Sequence, residues 1–220
     1  MKVGIDAILL GSWAEVKNRK RILDVGTGCG LIALMCAQRN SDAQVEAIDI
    51  DRGSVEEAQE NFDDSPWKER LSVRKSDFIE HKGTDYDLII SNPPFFSSGI
   101  TKIANPRERA RHQDILSPKV LIEKGSGMLN PNGRIAMIVP FEQVEELIQI
   151  SLSNELSLIR LTNVRGRKEL PPKRAMMEFV KQVYNSVPFP RSETEITLEH
   201  APGRPTKQFK ELCKEFYINF

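Results

Sequence analysis

Apolar residues along this chain recur in two alternating periods. Short β-branched runs at 21–25, 45–50, 71–76, 86–91 and 134–139 read as buried strands. Between and after them, 31–39, 54–62, 118–129 and 141–153 repeat their apolar residues at helical spacing. Strands that alternate with helices imply a parallel sheet covered by helices, a doubly wound α/β fold. Two more strands are predicted at 156–164 and 176–184, separated by the polar segment 165–174 with no helix between them. Strands joined in that way are antiparallel as a rule, so the sheet should close on an antiparallel pair. A short helix is predicted over 207–216, and the proline-containing stretches 188–192 and 202–205 read as surface turns.

A length of 220 residues suits one such domain, 1–220, and leaves no room for a comfortable second one. No apolar run approaches a membrane span and the start lacks a basic-then-apolar signal pattern, so a cytoplasmic protein away from membranes is expected. Cys29, Cys36 and Cys213 have no metal-ligand spacing and suggest neither a metal site nor a disulfide framework. The net charge of zero hides an asymmetry. Residues 1–100 hold 12 Lys/Arg and 17 Asp/Glu, whereas 101–220 hold 19 and 14. Between Arg160 and Arg174 six basic residues face one acid, Glu169, which favours an anionic partner for the second half.

The first strand runs into Leu23-Asp24-Val25-Gly26-Thr27-Gly28-Cys29-Gly30, with a helix starting at once. Glycines there let the backbone approach a ligand and present N–H groups to it. The G-x-G-x-G spacing is tighter than the dinucleotide pattern, whose helix N-terminus must hold a pyrophosphate. S-adenosylmethionine carries an amino-acid tail and a sulfonium instead, and suits the tighter loop. Nineteen residues after Gly30, the second strand closes on Ile48-Asp49-Ile50-Asp51. Asp49 is placed to accept from both ribose hydroxyls, and Asp51 reads as a helix cap. Asp77 and Phe78, after the third strand, fall where the cofactor's adenine would lie. Each feature alone is routine in α/β proteins; their order on consecutive elements is what points to the cofactor. The candidate cofactor set is Asp24, Gly26, Gly28, Gly30, Asp49, Ile50, Asp77 and Phe78.

The fourth strand ends at Asn92-Pro93-Pro94-Phe95-Phe96. Two prolines stop a strand and fix a rigid extended turn, here at the sheet edge where open α/β folds bind ligands. An exocyclic amine such as adenine N6 is a poor nucleophile because its lone pair is delocalised into the ring. Asn92 Oδ1 and the Pro93 carbonyl could each accept one N–H, drawing the nitrogen towards tetrahedral geometry. Phe95 could stack on the base, and alignment then supplies much of the rate. The candidate catalytic set is Asn92, Pro93, Pro94 and Phe95; no strong general base is required, and the neighbourhood offers none beyond His112.

The opening Met1-Lys2-Val3-Gly4-Ile5-Asp6-Ala7-Ile8-Leu9-Leu10-Gly11-Ser12-Trp13-Ala14 resembles the corresponding region of the bacterial tRNA1(Val) adenine-N6 methyltransferases. So do the glycine loop, the Asn92–Phe96 turn, Ala110-Arg111-His112 and Glu215-Phe216-Tyr217, in order over nearly the whole chain. The resemblance implies a Rossmann-like class I methyltransferase with a seven-stranded, mostly parallel sheet, helices on both faces and a C-terminal antiparallel strand pair. It implies S-adenosyl-L-methionine as cofactor and a tRNA adenine as substrate; a monomer is the default expectation, because nothing in the sequence marks an interface. It adds Asp6, over the cofactor's amino-acid end, and Asn92 to the cofactor set. A tRNA substrate would in turn make Arg111, His112, Arg165, Arg167, Lys168, Lys173 and Arg174 the RNA-contacting candidates. Family members usually carry a further N-terminal segment, and a threonine where this chain has Ile5.

Glutamine-amide and rRNA guanine-N2 methyltransferases use relatives of the same turn. The former end it in tyrosine and add an N-terminal helical domain; the latter are usually longer. A non-catalytic RNA-binding protein would have no use for the glycine loop.

Overall fold

Chain order and hydrophobicity place β1 (Arg21–Val25) at the middle of the sheet, where four of its five residues are buried. The computed structural model describes residues 4–94, 116–182 and 190–217. Beside β1 lie β2 (Gln44–Asp49) and β4 (Tyr86–Ser91), both parallel to it, with β3 (Leu71–Lys75) outside β2. On the other side β5 (Leu129–Pro140) runs parallel to β4. The chain then crosses to β6 (Leu156–Arg165) and returns as β7 (Arg174–Lys181), which inserts antiparallel between β5 and β6. That insertion is the closing antiparallel pair predicted from the missing helix.

The sheet has eight strands, not the seven expected. The eighth, β8 (Ser192–Thr197), pairs parallel with β6 at the edge, giving the order β3-β2-β1-β4-β5-β7-β6-β8. Its sequence, Ser-Glu-Thr-Glu-Ile-Thr, buries only Ile196, so no hydrophobic run announced it. The predicted turn at 202–205 is the bend of a small second sheet, β9 (Glu199–Ala201) with β10 (Arg204–Pro205).

Helices cover both faces. On one, α1 (Ile5–Trp13), α2 (Leu31–Arg39), α3 (Arg52–Asp63) and α6 (Lys207–Cys213) bury Leu9, Leu10, Ile32, Cys36, Phe62 and Phe209 against β1, β2 and β4. On the other, α4 (Pro118–Met128) and α5 (Val144–Leu152) bury Leu121, Ile122, Val144 and Leu147 against β5 and β7. Three of these six helices start with a side-chain cap: Asp51 accepts from Ser54 N–H at 2.7 Å, Ser117 from Val120 N–H at 3.2 Å and Thr206 from Phe209 N–H at 3.1 Å. Among the described residues no helix is long and apolar enough to cross a membrane.

α1, which the strand-and-helix periodicity left unassigned, is anchored by an ionic cluster. Arg160 of β6 stacks on the Trp13 ring at 3.7 Å and donates to the Trp13 carbonyl at 2.9 Å. Glu178, only 1% exposed, binds Arg160 at 3.0 Å and Arg134 at 3.3 Å. Trp13 Nε1 donates to Thr162 at 2.9 Å. A buried carboxylate held by two guanidinium groups is stable only as a complete set, so this cluster fixes where α1 lies.

Candidate active site

All the strands of the large sheet except β7 point their C-terminal ends at one edge, and β1 is the point where the winding reverses direction. Ligands bind there in such sheets because the loops on either side diverge. Register carries the site residues to that edge together. Asp24 pairs with Ile90 and with Ala47, so Gly26 on β1, Asp49 on β2 and Asn92 on β4 emerge side by side. Ser91, fully buried, donates to the Val25 carbonyl at 2.7 Å and locks the ends of β4 and β1 together. Ser76 N–H donates to the Asp49 carbonyl at 2.9 Å, which brings Asp77 to the same edge.

The glycine loop is held from β2. Gly26 and Thr27 N–H groups donate to the Ile48 carbonyl at 2.9 and 3.1 Å, and Gly28 N–H to Asp49 Oδ2 at 2.9 Å. Asp49 Oδ1 accepts from Asp51 N–H at 2.9 Å. One carboxylate thus joins the loop to the strand end, with lone pairs left on both oxygens for a diol. Gly26, Gly28 and Gly30 all have positive φ, at 69°, 58° and 84°. Gly30 also touches a neighbour: a Cβ there would lie 2.5 Å from Phe62 Cε1 and 3.2 Å from Ala58 Cβ. Phe62 is 1% exposed and has nowhere to go. Gly30→Ala is therefore expected to cost about 2–3 kcal/mol, from left-handed strain plus overpacking, read as a lower urea midpoint at unchanged slope.

Two buried acceptors at this edge have no partner among the described residues. Asp24 is fully buried; its Oδ2 accepts from Thr27 Oγ1 at 2.6 Å and Ala33 N–H at 3.1 Å, while Oδ1 is unpartnered. Burial is the main cause pushing its carboxyl up to about 7, with nearby Asp49 adding to the rise and the two hydrogen bonds opposing it. Asn92 Oδ1 is also buried and unpartnered. Native proteins rarely leave such acceptors empty, which makes each a candidate ligand acceptor.

Apolar surface is exposed at the same edge. Ile50 lies one residue past the end of β2 and is 42% exposed; Ile79, after the third strand, is 45% exposed. Asp77 Oδ1 accepts from Ile79 N–H at 2.8 Å, which shapes that turn. Phe78 departs from expectation: its ring is 3% exposed and packs in the second core beneath Lys124, whose Nζ is 5.8 Å from the ring centre. The ring is thus part of the core and is not exposed at the edge.

The candidate RNA contacts divide. Arg174 binds Asp6 of α1 at 3.2 Å, and Arg165 is paired with Glu195 of β8. Both are part of the framework, with partners 168 and 30 residues away that local sequence does not disclose. Asp6 is carried to the catalytic edge by that pair. Arg167 meets Glu169 at 3.8 Å, and the exposed side chains of Lys168 and Lys173 have no ion pair among the described residues. Phe95, Arg111 and His112 lie outside the described residues. Among those residues no group of three or more His, Cys, Asp or Glu could hold a metal ion.

Residues 4–159 match the methyltransferase small domain. The tRNA1(Val) (adenine(37)-N6)-methyltransferase of Parabacteroides distasonis is 42% identical over 221 residues, covering 99% of this chain and 91% of that protein. The enzyme of the same name from Tolumonas auensis is 36% identical over 219 residues, covering 99% and 90%. The chain belongs to this family. In fold, this chain also superposes on a protein from Agrobacterium tumefaciens described as a predicted O-methyltransferase, with a TM-score of 0.72 and 19% identity over 96% of each chain.

As a methyltransferase of this family it uses S-adenosylmethionine, and the residues present fit that group. The open glycine loop, the diol-competent Asp49, the exposed Ile50 and Ile79 faces and the unpartnered Asp24 Oδ1 offer what an amino acid, a ribose and an adenine need. Ile79 was not singled out in the sequence. Its signal is an apolar residue just past a strand end, where polar residues are the norm.

Proposed function

We propose that this chain methylates the exocyclic N6 of an adenine in tRNA, the anticodon-adjacent adenine of a valine tRNA. The observation that carries the chemistry is the buried, unpartnered Oδ1 of Asn92 at the end of β4. The bound cofactor supplies an electrophilic methyl group on a sulfonium. Asn92 Oδ1 and the Pro93 carbonyl accept the two N–H groups of the amine and turn its lone pair out of the ring plane. The Pro93-Pro94 turn keeps both acceptors fixed, so little reorganisation is left for the reaction itself. The cofactor would supply the methyl group to the nitrogen held by Asn92 and Pro93, which would give up its surplus proton to solvent. Asp24, Gly26, Gly28, Gly30, Asp49, Ile50 and Asp77 hold the cofactor, with Asp6 of α1 over its amino-acid end. Lys168, Lys173 and Arg167 hold phosphates around the flipped base. The substrate itself rests on family membership, at 36–42% identity over nearly the whole chain.

The test is to incubate the protein with labelled S-adenosylmethionine and unmodified valine tRNA, then identify the modified nucleoside by mass spectrometry. N6-methyladenosine in the anticodon loop is the expected product. Cofactor binding without any methylated nucleoside would overturn the tRNA reading and favour a protein amide.

A further inference from the structure

The edge that carries Asn92 also carries an aromatic residue that no step above uses. Phe141 follows the end of β5 directly and is 38% exposed. Its neighbours explain where it stands. Val139, Ala175 and Asn163 form one cross-strand row over β5, β7 and β6. Two residues on, Phe141 N–H donates to the Lys173 carbonyl at 3.2 Å, and Lys173 N–H donates to the Val164 carbonyl at 2.9 Å. These bonds continue the ladder past the sheet and set Phe141 beside Lys173 at the rim. Ser91 pairs with Met137, so Phe141 lies three residues further out along its strand than Asn92 does on the neighbouring one. At strand rise that offset is about 10 Å, within reach of the nucleotide next to a base held at Asn92.

We infer that Phe141 is a stacking platform for an RNA base adjoining the target adenine, with Lys173 beside it on the phosphate. The inference rests on the tRNA reading and deepens it. Core packing does not account for the residue: Val144 and Leu147, a turn further on, are 5% and 3% exposed and fill that core, whereas Phe141 stays at the rim. An aromatic face beside the exposed Lys173 suits a nucleic-acid strand, since every base has a face to stack and every nucleotide a phosphate to neutralise. Lys173 is exposed and has no ion pair among the described residues, and Lys168 of the same connection is in the same state. An apolar protein partner would bury those charges without compensation. Phe141 is thus a positioning residue for the substrate, set apart from the atoms that react.

The experiment measures binding of unmodified valine tRNA to the full chain at several salt concentrations, together with steady-state KM and kcat. Wild type is compared with Phe141→Ala, Phe141→Leu, Phe141→Trp and Lys173→Ala. Cofactor affinity by calorimetry serves as the check that each variant is folded. Phe141→Ala is expected to weaken tRNA binding by roughly tenfold or more, with KM rising by a larger factor than kcat falls. Tryptophan should restore affinity and leucine should not. The dependence of affinity on salt should be unchanged in Phe141→Ala and shallower in Lys173→Ala, which loses a phosphate contact. Affinity within twofold of wild type in Phe141→Ala, or rescue by leucine as complete as by tryptophan, would show an apolar filler and overturn the inference. A wild-type protein that binds cofactor but neither binds nor methylates valine tRNA overturns the tRNA reading itself, and the stacking role with it.

Discussion

Asn92→Ala is expected to lower kcat by about 10²–10³-fold, the loss that follows removal of a preorganised polar group aimed at the reacting centre. The variant should nonetheless fold at least as stably as the wild type. Most buried asparagines lose stability on truncation because they leave a partner unsatisfied. Here the acceptor atom has no partner to abandon among the described residues, where Asn92 Oδ1 is buried and unbonded. The cost of desolvating that oxygen is borne by the free enzyme and recovered when the amine N–H arrives. Single-turnover methylation and urea unfolding of the same variant check both halves. A large loss of stability, or cofactor affinity falling in step with kcat, would mean that Asn92 props up the loop instead of holding the amine.

That asparagine was legible in the sequence because its chemistry is local. Asn92-Pro93-Pro94 is one contiguous turn, and the apolar run before it fixes which end of the sheet it occupies. The glycine loop is legible for the same reason: strand, turn and helix follow within ten residues, and the turn alone decides the backbone. What depended on partners distant in sequence was not legible. Arg165 and Arg174 look alike in a basic segment, yet both are drawn into the framework by Glu195 and Asp6. β8 carries one buried apolar residue and pairs through its backbone, so its existence follows from the exposed edge of β6 and not from its own pattern. Phe78 illustrates a third kind of miss. Its position near the edge was readable, but its ring packs in the second core beneath Lys124.

The contribution of Asp24 to stability should fall as pH rises from about 4 to about 7, and Asp24→Asn should lack that contribution. Asp24 titrates near 7 in the folded chain against an ordinary aspartate value of 3.8, chiefly because it is fully buried. Below about pH 4 the carboxyl is protonated in both folded and unfolded states, and the folded state has its full advantage. Between the two values the unfolded chain releases the proton while the folded chain keeps it, so stability drains away with each step in pH. Above about 7 the folded carboxyl is ionised as well and the loss is complete. Three pK units correspond to about 4 kcal/mol as an order of magnitude. Urea midpoints of wild type and Asp24→Asn at pH 5 and pH 8 give the difference directly. A gap between the two proteins that does not change with pH would show that Asp24 titrates like an exposed carboxylate. The group is tolerated, on this view, because the glycine loop beside it is built to receive a cation. S-adenosylmethionine carries positive charge on both its ammonium and its sulfonium, and positive charge held near Asp24 favours the ionised carboxylate. Cofactor binding near pH 6 should accordingly release a proton from the wild type and none from Asp24→Asn, read by calorimetry in buffers of different ionisation enthalpy. Equal proton release from both proteins would separate Asp24 from the cofactor and leave its buried charge a purely structural burden.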